Sequence, residues 1–249
     1  MQQLLHICKK NKRGLKQRGS DTVYAFNPNA FSYSSLKTYE SCPRKFAEVN
    51  VYRNFQDVFT SPKGDYGDRM HKAAEAYVKA AGELEAEFKF IKPILDTLRN
   101  ISGEKRTEHK MGVKHDGTPT RWNDPERWFQ GIADLTIVGD SPVARVVDYK
   151  AGDSKYADTD QLELMSLLIF AHFPHVKLVK GVLLFVLSEQ VRKRTVDITE
   201  KDRLWQKYRE RHAKVIASHA ADNWPMKESG LCRRHCIVNT CPHWGGGST

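Results

Sequence analysis

No apolar run in this 249-residue chain is long enough to cross a bilayer; the longest extends only from Val182 to Leu187. The N-terminus lacks a signal-peptide pattern, since its apolar stretch is short and basic residues follow it. An integral membrane protein and a secreted one are therefore not expected, and the expected location is the cytoplasm. Internal repeats are absent. The length suits one substantial core with appendages. Cysteines are few, five in all, and three crowd into the C-terminal end. In a reducing compartment such clustering indicates a metal rather than disulfides. Acidic residues are outnumbered, 30 against 40 basic, for a formal charge of +10. That balance either serves solubility or suits a polyanionic partner, with nucleic acid the obvious one.

The basic excess is uneven. Lys9, Lys10, Lys12, Arg13, Lys16 and Arg18 all precede the first acid, Asp21. This predicts a flexible basic arm over residues 1–26 that contacts phosphates or stays disordered.

The most informative segment is Gly131-Ile132-Ala133-Asp134 followed by Asp148-Tyr149-Lys150. Trp128–Val138 and Val143–Tyr149 are rich in β-prone residues and flank the turn cluster Gly139-Asp140-Ser141-Pro142, which reads as a hairpin. A turn centred near Ser141 sets Asp134 opposite Asp148 on one face. Asp148 and Lys150, two apart, share that face. Two carboxylates and an ammonium then converge, an arrangement that a divalent cation stabilises and that is suited to breaking phosphodiester bonds. On a solvated strand the same triplet would be unremarkable, but Asp148 ends the apolar run Val143-Ala144-Arg145-Val146-Val147.

Periodicity and caps predict further elements. Ser34–Ser41 is a short helix and Pro43 opens the next helical piece. Asp65–Ala81 is amphipathic and stops at Gly82; Glu83–Leu98 is a second helix bent at Pro93. Arg106–Lys114 is a strand and 115–127 a long loop. Asp158–Phe173 is an apolar-faced helix, Lys177–Leu187 and Val191–Ile198 are strands, and Thr199 caps a helix running to about Asp222. Residues 245–249 read as a flexible tail. Helices, three strands, helix, two strands, helix describe an α/β domain: a mixed sheet flanked by helices.

These residues together resemble the RecB-like branch of the PD-(D/E)XK nuclease superfamily. Gly67-Asp68-Arg69-Met70-His71 is similar to its glycine–histidine helix motif, Gly131–Asp134 to its first acid, Asp148-Tyr149-Lys150 to its acid–x–lysine, and Gln161 to its helix glutamine. Phe31-Ser32-Tyr33-Ser34-Ser35-Leu36 through Tyr39 to Cys42-Pro43-Arg44-Lys45-Phe46 resembles the opening of the iron–sulfur members. The likeness spans roughly 31 to 244. It implies a restriction-endonuclease-like core with N- and C-terminal segments joined by a four-cysteine metal cluster. In it, 27–244 form one nuclease domain: a helical part at 27–105, the core at 106–222 and a cysteine-rich tail at 223–244.

The resemblance also implies roles. Asp134 and Asp148 would hold Mg2+ or Mn2+ with His71 and the Tyr149 carbonyl; Lys150 would serve the attacking water, and Gln161 would hold the lysine or the nucleic-acid backbone. His71 read alone is more often a core histidine, and only the order of the motifs makes it a ligand. Glu108 is either a secondary catalytic acid or an exposed strand glutamate. One departure stands: four residues after Gln161, where the branch often has tyrosine, this chain has Met165. Cys42, Cys232, Cys236 and Cys241 resemble the four ligands of a 4Fe–4S cluster in CRISPR-associated and AddB-like exonucleases. Three residues, not two, separate Cys232 from Cys236, so Zn2+ with help from His235 or His243 stays open, as do unliganded thiols. Cys8 has no place in this scheme.

The implied activity is metal-dependent hydrolysis of DNA from ends or single strands, in recombination, replication or repair, by a stand-alone phage or prokaryotic exonuclease. In a phage the compartment would be the host cytoplasm. A CRISPR prespacer-trimming subunit is the alternative within that chemistry, and a non-catalytic DNA-end-binding scaffold the alternative outside it. Lys114, Arg121 and Trp122 combine basic and aromatic groups suited to tracking a strand. Trp128 is either a further such contact or an anchor for the loop.

Overall fold

The computed structural model describes residues 26–56, 62–80, 82–152, 154–188 and 190–246. The basic arm from Lys9 to Arg18 and Cys8 lie outside the described residues, as do Ala81, Glu189 and 247–249.

The chain runs α1 (Tyr33–Ser41), α2 (Pro43–Phe46), α3 (Pro62–Ala80), α4 (Lys92–Asn100), β1 (Glu104–Val113), β2 (Pro119–Thr120), β3 (Phe129–Val138), β4 (Val143–Lys150), α5 (Asp160–His172), β5 (Leu178–Phe185), β6 (Gln190–Asp197), α6 (Lys201–Ala220) and α7 (Leu231–Arg234). One six-stranded sheet has the order β2-β1-β3-β4-β5-β6. Only β4 and β5 are parallel, and α5 supplies the crossover between them. The fold is a mixed sheet flanked by helices, as the element order implied. Among the described residues no helix is long and apolar enough to cross a membrane.

Each face of the sheet covers its own core. Met70, Tyr77, Phe88 and Leu95 from α3, α4 and the short 3-10 turn between them pack on Leu135, Ile137 and Val147. On the other face α5 lies against Met111, Ala133 and Val146, with Leu36 and Tyr208 from α1 and α6 beyond it. The sequence reads α5 as apolar on one face, yet every residue from Leu162 to Ala171 is buried. A helix sandwiched between a sheet and other helices has no solvent face to keep polar.

Other local departures have simple causes. The expected helix Glu83–Leu98 is a 3-10 turn, Ala86–Ile91, followed by α4. Pro93 falls in the first turn of α4, where its missing N–H costs nothing. Thr199 does not cap α6: Asp197 caps the 3-10 turn Ile198–Glu200 that leads into it, its side chain accepting the Thr199 N–H while Glu200 reciprocates. Residues 115–127, expected as loop throughout, include β2, which pairs Gly112 with Thr120 and Val113 with Pro119.

The tail returns to the N-terminal helices. The Arg44 N–H donates to the Pro225 carbonyl (3.3 Å), and the Lys227 ammonium donates to the Glu40 carbonyl (2.7 Å). The indole of Trp244 closes the tail on itself by donating to the Cys236 carbonyl (3.0 Å).

Candidate active site

The β3–β4 hairpin has the expected register: Leu135 faces Val147, Thr136 faces Val146 and Ile137 faces Arg145. The ladder stops one step before Asp134 and Asp148. There the strands part, and the Tyr149 N–H donates to Asp134 Oδ2 (2.7 Å) in place of a backbone carbonyl. A fork between two strands is thus held by a carboxylate.

Gln161, in the first turn of α5, reaches into the fork. Its Nε2 donates to Asp148 Oδ1 (2.5 Å), and its Oε1 accepts from Lys150 Nζ (3.0 Å). Lys150 Nζ also lies 2.6 Å from Asp148 Oδ2. Asp148, Lys150 and Gln161 therefore close a ring of polar contacts around a carboxylate only 6% exposed. His71 enters from α3, with Nδ1 3.6 Å from Asp134 Oδ2 and its ring edge-on to that of Tyr149.

Burial, and then the charge of Asp148, push the Asp134 carboxyl up from 3.8 to about 7; the Tyr149 N–H and Lys150 oppose the rise. Burial also holds His71 below its ordinary range, against the pull of the Asp148 charge. A neutral imidazole beside two crowded carboxyls is a donor set suited to a hard divalent cation. Among the described residues, however, no three His, Cys, Asp or Glu side chains form a ready-made ion cage. The Asp148 oxygens already face Lys150 and Gln161, so ion binding there requires the ammonium to yield.

The Asp134 shift has a stability consequence. A carboxyl whose folded pKa exceeds its unfolded one takes up a proton on folding, so stability falls as pH rises from about 4 to about 7. In chelator, unfolding measured at pH 5 and pH 8 should show the protein weaker at pH 8, by on the order of 1–3 kcal/mol from this group. Asp134→Asn should flatten that slope and be the more stable protein at pH 8. Equal slopes in both proteins would show that the ionised carboxylate is not penalised.

Glu108 is exposed and sits on β1 at the step facing Asp134, between the pairs Thr107–Leu135 and His109–Ala133. Its φ of +46° is left-handed, which is unusual for glutamate within a strand. The alternation of faces switches at this point. The Thr107 hydroxyl donates to Glu75 on α3 (3.1 Å), whereas the His109 ring meets Phe173 at the far end of α5. On β3, Ala133 joins the α5-side core and Leu135 the α3-side core. The Glu108 charge bears on both Asp134 and His71. Strain of this kind gathers at functional sites.

Of the three candidate strand-tracking residues, Trp122 lines a cavity of about 390 Å³ that also includes Gln161. Lys114 is ion-paired with Glu126 in its own loop, and Arg121 is exposed. Trp128 is a core anchor: it is 3% exposed and its indole N–H donates to His212 Nδ1 (3.0 Å). Met165 is buried against Gly131, where any Cβ would come within 2.7 Å of its methyl carbon. Tyr33 and Gln130 share the cavity with Trp122, and their meeting is not legible in sequence because they belong to separate segments.

Cys42, Cys232, Cys236 and Cys241 line a second cavity, of about 300 Å³, where α1 and α2 meet the tail. Burial raises the Cys236 thiol above its ordinary range, and Cys232 and Cys42 add to the rise, so the thiols sense one another. Four thiols facing one space fit a metal cluster chemically. His235 and His243 line the same cavity.

A family described as the PD-(D/E)XK nuclease superfamily matches residues 30–242. No curated protein matches the chain significantly. Among solved structures, the protein SSO0001 is similar at 13% identity and TM-score 0.45, over 89% of this chain and 90% of that one. A candidate exonuclease from Eubacterium rectale is similar at 14% identity and TM-score 0.44, over 87% of this chain and 96% of that one.

Proposed function

The chain belongs to the PD-(D/E)XK nuclease superfamily, and from that premise we propose a metal-dependent deoxyribonuclease that hydrolyses phosphodiester bonds from DNA ends or single strands. The observation that carries this reading is the ring of Asp148, Lys150 and Gln161 closed at the fork beside Asp134. Asp134, Asp148, His71 and the Tyr149 carbonyl are the proposed ligands of Mg2+ or Mn2+. Such an ion, when bound, polarises the scissile phosphate and lowers the pKa of a water. Lys150 would orient the attacking water and offset the phosphate charge. Gln161 keeps the ammonium in place once Asp148 is engaged elsewhere. Glu108, across β3 from Asp148, adds negative charge at the mouth of the site.

For the four cysteines we propose a 4Fe–4S cluster. Support comes from their shared cavity where α1 and α2 meet the tail. The cluster serves as a staple between the tail and α2, and the proposed partners are DNA and a recombination or replication protein.

The test is loss of a labelled oligonucleotide with Mg2+ or Mn2+ and its persistence in chelator. No cleavage under any divalent ion would leave a DNA-end-binding scaffold as the better reading. His71→Ala should weaken Mn2+ binding by roughly 10- to 100-fold. A drop in thermal stability with unchanged Mn2+ affinity would instead make His71 a core residue.

A further inference from the structure

The Trp122 cavity touches the proposed catalytic ring directly, because Gln161 belongs to both. Its walls come from three directions: Gln130 to Ile132 on β3, Ser32 to Ser34 at the start of α1, and Gln161 with Met165 on α5. Trp122 supplies its aromatic surface. The ammonium of Lys110 lies 5.6 Å from the indole centroid. The volume, about 390 Å³, is in the range of pockets that hold small planar ligands.

We propose that this cavity receives one unpaired nucleobase of the strand being cut, stacked on Trp122, so that the preferred substrate is a single strand or a frayed end. The inference deepens the nuclease reading and rests on it. A half-buried indole carrying a cation is the pairing by which single-strand grooves work: the π-face takes a base of any identity, and the ammonium meets the adjoining phosphate. The amide of Gln130 is available at the rim, although its Oε1 is engaged by the Arg127 guanidinium. Gly131 and Met165 close the floor in van der Waals contact. A base within an intact duplex is stacked and paired and cannot enter without being unstacked first. A base seated here is one side chain away from Asp148 and Lys150, so it sets which phosphate reaches them.

The test uses the full-length protein with Trp122→Ala and Trp122→Phe, and three DNAs of equal length: a normal single strand, a single strand with consecutive abasic sites, and a blunt duplex. Affinity is read by fluorescence anisotropy in chelator, and cleavage separately with Mn2+. Trp122→Ala should lose about 10-fold or more in affinity for the normal strand and nothing on the abasic one, while Trp122→Phe keeps most of the binding. The wild type should prefer the normal strand to both other DNAs. Equal losses on normal and abasic strands, or no preference over duplex, would overturn the base pocket. A wild type that binds with this pattern but never cleaves would sink the nuclease reading and leave the pocket standing. An unchanged circular-dichroism melt for Trp122→Ala, whose residue lies in a half-exposed loop, shows that the variant is folded.

Discussion

Asp148→Ala is expected to lower the single-turnover cleavage rate by a factor of about 10³, and Lys150→Ala by a similar factor, because each removes a charge the transition state uses. The two changes together should cost little more than either alone, since both residues act in one ring with Gln161. Asp148 is buried, so Asp148→Asn is the better control for folding: it keeps the volume and a contact for Gln161. Both variants should also move the pH dependence of Mn2+ binding to lower pH. Without the Asp148 charge, the larger of the two charges that raise Asp134 is gone. Rates within tenfold of wild type would remove Asp148 from the mechanism. A lost circular-dichroism signal in both variants would make the defect one of stability.

Cys42→Ser is expected to have the next largest effect. Protein purified without oxygen should be brown, with about four irons per chain, and the variant should be colourless and iron-free. Cys42 lies 190 residues before Cys232, so the cluster would close a very long loop. The hydrogen bonds from Arg44 to Pro225 and from Lys227 to Glu40, and the packing of Trp224 on Tyr39 and Phe46, then tie the start of the tail to the helices. These contacts gather at Trp224 to Lys227 and leave the cysteine-bearing residues beyond them to the cluster, so in the variant but not in the parent protease should cut the region after Asp222, beyond the Trp224 anchor. One zinc per chain in place of iron would sink the iron–sulfur assignment and keep the staple. Neither metal, with an unchanged cleavage pattern, would sink both.

Parts of this arrangement are legible in the sequence because they depend on short-range rules. The register that brings Asp134 and Asp148 to the same step follows from strand periodicity and one turn centred near Ser141. The end of α3, the place of Pro43 and the crossover through α5 follow from helical spacing and breakers. What is not legible depends on tertiary context. A two-residue strand that begins with Pro119 has no pattern to detect. Periodicity cannot tell a helix buried on every side, as α5 is, from one with a single apolar face. The choice between Asp197 and Thr199 as cap is decided by backbone geometry two residues apart. Nothing near Glu108 announces a left-handed residue in a strand, and Trp122, Gln130 and Tyr33 become neighbours only when three segments meet.

The inward contacts of the two acids have a consequence for how the protein is made. Asp134 is held by the Tyr149 amide, and Asp148 by Lys150 and Gln161. Each carboxylate thus has a partner from its own chain, and Lys150 acts as an internal counterion. The polypeptide can therefore complete this part of its fold without a divalent ion bound. A zinc finger differs in kind, because its ligands have no other partner and the chain unfolds when the ion leaves. Here the ion would behave as a consumable reagent, taken up for work and given back without dismantling the tool that uses it.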